Sequence, residues 1–391
     1  MPANDFTTTE YARRLQKTRS AMAARGFKTL VICDPSNMAW LTGYDGWSFY
    51  VPQAVILHET GMPLWWGRTQ DKPGAALTTW LEQDHLFDWP EEHVQHTEHH
   101  PFDSLVTLLR DFGWTEAVGV EMDNYYYSAR SHQILEAGLG RDSIADATGL
   151  VNWQRAVKSE QELQLMRSAG RLSAHMHGVL RAEFNEGIAK NALVARVQAA
   201  GIEGLPDLPG DYAAIAPIAP SGIEASASHI TWNDRPLAQG EATYFEISGC
   251  VRRYHCPISR TLFLGSPPED IRRGEAAILQ AIEDTFAVAK PGVTCEEVAA
   301  CVYESFGRAG YIKGNRTGYP VGLSYPPDWG ERTMSLRPGD TTKLEENMTF
   351  HLMPGLWTPD WGMAITETFV VTPRGGEALA DVPREIVVKD R

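Results

Sequence analysis

The stretch 242–263, ATYFEISGCVRRYHCPISRTLF, constrains the fold of this chain more than any other. An apolar run at 242–247 is interrupted by one acid, Glu246. The chain then crosses Ser248-Gly249-Cys250 and returns as a second apolar-patterned run ending in Arg260-Thr261-Leu262-Phe263. This pattern predicts two antiparallel strands joined by a bulged turn. A carboxylate inside an apolar strand costs several kcal/mol to bury without a partner. Glu246 therefore reads either as half of an ion pair, with Arg252 or Arg253, or as a site residue.

The 391 residues suffice for two ordinary domains, and 43% hydrophobic residues provide a sizeable core. No apolar run approaches the length of a membrane span, and the N-terminal segment lacks the apolar core of a secretory signal. The five irregularly spaced cysteines fit reduced thiols in a cytoplasmic protein. With 35 basic against 50 acidic residues the formal charge is −15, which disfavours nucleic acid and anionic membrane as partners.

Along the chain, residues 8–26 suit a helix capped by Thr8 or Thr9 and stopped by Gly26. A strand follows at 28–33, then a loop at Asp34-Pro35-Ser36-Asn37 and an aromatic-rich loop at 40–50. A hairpin at 53–67, a helix at 105–112 and a strand at 117–122 complete an α/β pattern. Just before Lys158 the pattern changes, placing an N-terminal domain at 1–155 and a second domain at 156–391. The second opens with a long helix at 158–184 and another at 188–199. Helices at 271–289 and 295–308 follow, with strands at 242–263, 349–353 and 364–372. This predicts an α+β domain with a mostly antiparallel sheet.

Five segments carry a family resemblance: KSEQELQLMRSAG at 158–170, SGIEASASH at 221–229, SRT at 259–261, GYPVGLSYPPDWGE at 318–331 and NMTFHLMPG at 347–355. They resemble the landmarks of the creatinase/prolidase/methionine aminopeptidase family. The likeness spans nearly the whole chain. It implies a creatinase-like two-domain α+β protein with a C-terminal pita-bread domain and an N-terminal α/β domain. Metallopeptidases of that family hold two divalent ions with two Asp, one His and two Glu. Those positions fall here on Glu246, Pro257, Tyr319, Met353 and Thr366. Proline and methionine cannot replace hard oxygen ligands, so the resemblance implies no metal and no other cofactor.

The resemblance also assigns the remaining candidates. Glu246 lies in the former metal pocket, where a raised pKa or a cationic substrate is expected. His229 matches a family histidine that transfers protons in creatinase. His351 shares a strand face with Met353, His255 sits beside Glu246, Tyr319 offers a hydroxyl in place of an imidazole, and Glu367 is a possible second carboxylate. Arg332 is the candidate clamp for a substrate carboxylate, and Trp329 and Trp361, with Trp357, are candidate walls for a delocalised cation. In creatinase-like homodimers the partner's N-terminal domain reaches into the site, which brings in Tyr44 and Trp47. The function implied is metal-independent hydrolysis of a small cyclic amidine. A metal-dependent dipeptidase, a creatine amidinohydrolase and a catalytically inactive binding module remain as rivals.

Overall fold

The computed structural model describes residues 6–389. It divides into two compact units, with the break between Arg155 and Ala156.

The N-terminal unit is a six-stranded mixed sheet. Its spatial order is Leu86–Trp89, Leu64–Arg68, Ala54–His58, Thr29–Ile32, Val118–Val120, Ile144–Asp146. Alternate residues of the central strands feed opposite faces. Leu30, Ile32, Val55, Leu57 and Trp65 join one core, while Val31, Ala54, Ile56, Leu64 and Trp66 join the other. Period-2 alternation with both faces apolar buries a sheet on both sides. The sequence expectation fails at 34–37, a helix start rather than a loop, and at 40–42, the beginning of the expected aromatic loop, which is helical too. The helix runs Pro35–Thr42, and the Asp34 side chain accepts from the backbone N–H groups of Ser36 and Asn37. Asp at the N-cap followed by Pro at the first helical position is a start signal.

The C-terminal unit opens with the helix Glu160–Glu183. A reciprocal capping box between Ser159 and Glu162 fixes its first turn. The helix packs on the long hairpin Ala242–Val251 and Tyr254–Leu264, whose second strand also pairs in parallel with Val387–Lys389. The strand does not turn at Ser248-Gly249-Cys250 but continues to Val251. The reversal falls at Arg252 and Arg253, both at positive φ, 49° and 64°, as a two-residue twisted hairpin turn demands. Gly249 is a glycine for a packing reason: a Cβ there would lie 2.3 Å from the carbonyl oxygen of Ala169 and 2.6 Å from the backbone nitrogen of Ser173. The hairpin thus touches the helix backbone directly.

A second sheet, in the order Gly375–Ala378, Glu367–Thr372, Thr349–Leu352, Gly318–Pro320, is antiparallel throughout. It packs with the helices Glu269–Val288 and Cys295–Arg308 around a core that includes Ile278, Ile282, Val298, Val302, Phe350 and Phe369. Among the described residues no helix is long and apolar enough to cross a membrane.

Candidate active site

The hairpin register sets Glu246 opposite Ser259 and Ser248 opposite Pro257. Tyr244, Glu246, Pro257 and Ser259 therefore share one face. The second sheet sets His351 opposite Tyr319 on one side and Thr368 on the other. The two sheets are tied where they meet. Ser259 N–H donates to Thr366 Oγ1 at 2.7 Å, Thr366 N–H donates to the Ser259 carbonyl at 3.1 Å, and Thr368 Oγ1 donates to the Pro257 carbonyl at 2.7 Å.

Glu246 is partly accessible, and among the described residues no cation pairs with it. Its carboxylate accepts one hydrogen bond, from Ser259 Oγ at 3.0 Å. Desolvation outweighs that bond and pushes the carboxyl up to about 7. Arg252 and Arg253 lie at the hairpin tip, and the guanidinium of Arg253 stacks 3.6 Å from the Tyr212 ring centroid.

Beside Glu246 runs a buried polar row. Trp329 Nε1–H donates to Tyr319 Oη at 2.7 Å, Tyr319 Oη meets His351 Nδ1 at 3.1 Å, and His351 Nε2 meets Thr366 Oγ1 at 2.8 Å. Burial pushes His351 down to about 3, so its imidazole is neutral. An indole can only donate, and Thr366 Oγ1 already accepts from Ser259. In either tautomer of neutral His351, one hydroxyl hydrogen of the row is therefore left to point out of it, that of Tyr319 or that of Thr366. Burial first, and then the negative charge of Glu246, push the Tyr319 phenol well above its usual value, so it stays protonated.

The structure relocates several of the sequence candidates. His255 is fully buried, its Nε2 accepts from Ala214 N–H at 2.9 Å, and burial lowers it to about 4. It lies behind the row, with its ring centroid 6.2 Å from that of Trp329. Trp329 is fully buried as a partner of Tyr319 rather than a free wall. Trp361 turns toward the helix Glu269–Val288, donates to Asp270 Oδ2 at 2.9 Å and packs, partly buried, against the core of that unit. Glu367 is neither a second site carboxylate nor an exposed strand acid. It is 1% exposed and bound to Arg260 at 2.6 Å and Arg384 at 3.2 Å. Arg260 Nη1 also donates to the carbonyls of Ser259 and Thr366, so this pair clamps the strands that carry the site. Tyr44 is buried in the N-terminal unit, donating to Gln53 Oε1 at 2.9 Å, whereas Trp47 is exposed. Arg332 is exposed, at φ 54°.

His229 is exposed and lines a cavity of about 640 Å³ together with Ser226, Ser228, Lys313 and Trp357. Trp357 Nε1–H donates to Tyr244 Oη at 3.3 Å, and Tyr244 donates to the Ala227 carbonyl at 3.1 Å. Tyr244 thus connects the cavity wall to the strand face bearing Glu246; burial first, and then the charge of Glu246, raise the Tyr244 phenol. Sequence reading missed Lys313, and it gave Thr366 and Ser259, noted only as family positions, no role of their own. A lysine in the polar segment IKGNRTG reads as solvated, and the two hydroxyls acquire roles only through partners on other strands, Glu246 and His351, and through each other's strand across 107 residues.

The family's metal positions hold one carboxylate, a proline, a phenol, a thioether and a hydroxyl already engaged twice. That donor set does not fit a pair of divalent cations. Among the described residues no group of three or more His, Cys, Asp or Glu side chains is placed to hold a metal ion.

Residues 164–373 match the model of metallopeptidase family M24, and residues 14–157 that of the creatinase/prolidase N-terminal domain. The chain belongs to the M24 family, with a creatinase-type N-terminal domain and a pita-bread C-terminal domain. It is 50% identical to the ectoine hydrolase of Halomonas elongata, over 98% of this chain and 98% of that protein. Two solved structures share the fold. Dipeptidase PepE from Mycobacterium ulcerans matches with a TM-score of 0.82 at 24% identity, covering 99% of this chain and 100% of that one. Prolidase from Thermococcus sibiricus matches with a TM-score of 0.84 at 17% identity, covering 98% and 100%.

Proposed function

We propose that this protein is a hydrolase that opens the ring of ectoine, a cyclic amidine bearing a carboxylate, to give N-acetyl-2,4-diaminobutyrate without a metal ion. The observation that carries this reading is Glu246, a desolvated carboxylate with no cation beside it among the described residues, in a chain half identical to an ectoine hydrolase along its length. A bound amidinium is the counter-charge this carboxylate lacks. The ring carbon between the two nitrogens of a protonated amidine is electrophilic, so a Lewis acid is not required.

Glu246 either attacks that carbon, forming an acyl-type intermediate that water then opens, or takes a proton from an attacking water. In both routes one water is consumed, one carbon–nitrogen ring bond breaks, and the departing nitrogen takes up a proton. His229, on the cavity rim, supplies that proton in this reading. The buried row gives Tyr319 and His351 a positioning role, with one hydroxyl hydrogen available to the pocket. Hydroxyectoine, which keeps the ring and carboxylate, is the second substrate to test, and a homodimer is the assembly this reading includes.

The test is incubation of purified protein with ectoine, with ring-opened product detected by NMR. The wild type is expected to turn over without added metal and after chelator treatment. Glu246→Gln is expected to lose turnover while keeping its circular dichroism spectrum. Near-normal activity in that variant, or activity that vanishes with chelator and returns with a divalent ion, overturns the proposal.

A further inference from the structure

A buried lysine in the cavity beside the Glu246 face forms no salt bridge among the described residues. Lys313 is 9% exposed, and its Nζ donates to the Gly355 carbonyl at 3.1 Å. The same nitrogen lies 5.0 Å from the Trp357 ring centroid and 5.9 Å from that of Phe306. Among the described residues no carboxylate forms a salt bridge with it. By contrast the other two buried lysines of this unit are both paired, Lys158 with Glu331 and Lys190 with Glu224. A buried charge that is neither paired nor fully hydrogen-bonded is costly, and proteins keep few of them. One carbonyl uses one of the three ammonium donors, and the remaining two are in a side chain that lines the open cavity with His229, Ser226 and Ser228.

We propose that Lys313 is the specificity residue that grips the substrate's carboxylate, with Trp357 and the 226–228 segment forming the walls of that subsite. This rests on the reading of Glu246 as the group that faces the amidinium. It replaces Arg332, which is exposed, as the carboxylate clamp. The two charges of a zwitterionic ring would then be divided between two desolvated groups that form no ion pair among the described residues, the amidinium at Glu246 and the carboxylate at Lys313. Tyr244, bonded to Trp357 and on the Glu246 face, separates the two subsites. Desolvation lowers the ammonium to about 7 in the empty protein, and a bound carboxylate reverses that by supplying the opposite charge.

The experiment compares ectoine with the same ring lacking its carboxylate, 2-methyl-1,4,5,6-tetrahydropyrimidine. Lys313→Met, a near-isosteric apolar replacement, is expected to raise KM for ectoine on the order of 10- to 100-fold, the loss of one charged hydrogen-bonding group, with a much smaller change in kcat. The preference for ectoine over the decarboxylated ring should collapse toward one. Lys313→Arg, which keeps the charge, should recover part of it. Equal losses on both rings, or a fall in kcat alone, overturn the assignment. Binding provides an independent readout in the Glu246→Gln background, where the carboxyl can no longer titrate. Calorimetry at pH 8 in buffers of different ionisation enthalpy should show ectoine binding with proton uptake approaching one, and the uptake should vanish when Lys313→Met is added. A wild type that binds ectoine with this uptake but does not open the ring refutes the hydrolase reading and leaves the subsite standing. Ectoine binding that Lys313→Met leaves unchanged, in both affinity and proton uptake, refutes the subsite.

Discussion

The Glu246 carboxyl should leave a signature on stability that does not depend on any substrate. A carboxyl moved from 4.5 to about 7 by burial disfavours its ionised form by about 3 kcal/mol. Because the folded-state value is raised, the folded protein holds a proton between pH 4.5 and 7 that the unfolded chain has lost. Stability therefore falls as pH rises through that window, and the loss is complete above about 7. Glu246→Gln keeps an oxygen to accept from Ser259 Oγ but cannot ionise. On going from pH 5 to pH 8 the variant should gain about 2–3 kcal/mol relative to wild type. The assay is urea denaturation of both proteins at the two pH values, read as the change in their difference, so that groups common to both cancel. A difference that stays constant between pH 5 and 8, or that moves in favour of wild type, would show that a cation neutralises Glu246 in the fold and would refute the reasoning. The same ionisation predicts kcat/KM rising with pH on an acid limb near 7, checked by initial rates from pH 5 to 8.

Other consequences of the architecture are equally direct. Gly249→Ala forces a methyl against the Ala169 carbonyl and the Ser173 nitrogen, and thermal unfolding should show a loss of about 1–3 kcal/mol or more from overpacking. Glu367→Gln leaves Arg260 buried without its carboxylate and should cost about 3–5 kcal/mol in denaturation, as breaking a buried pair does. Tyr319→Phe removes the acceptor of the Trp329 indole N–H. Leaving that buried donor unmet should cost about 1–3 kcal/mol, measured by the same denaturation, with a smaller effect on KM than Lys313→Met has.

Much of the fold was legible because its signals are local. The Gly26 stop after the first helix, the helical spacing that begins at Lys158 and the apolar runs of the hairpin each act within a few residues. The hairpin turn was misplaced for a non-local reason: Gly249 looks like a turn glycine until the helix Glu160–Glu183 is seen pressed against it. The helix at Pro35–Thr42 was missed because its Asp-Pro start also reads as a turn.

The sequence by itself determined the family, the α+β class, and the identity of the one carboxylate left among the former metal positions. Those follow from the order of residue types along the chain. Tertiary structure decided which charges are paired. Glu367 was a free acid in the sequence and is bound by Arg260 and Arg384 in the fold. Lys313 was an unremarked loop lysine and is a buried, desolvated amine that forms no salt bridge among the described residues. Whether a charge is paired and how far it is desolvated depend on groups that approach from distant parts of the chain, and no local pattern encodes that distance. For the same reason Glu246 could be named from the sequence, whereas the absence of a cation partner among the described residues emerged only once the two sheets were in place.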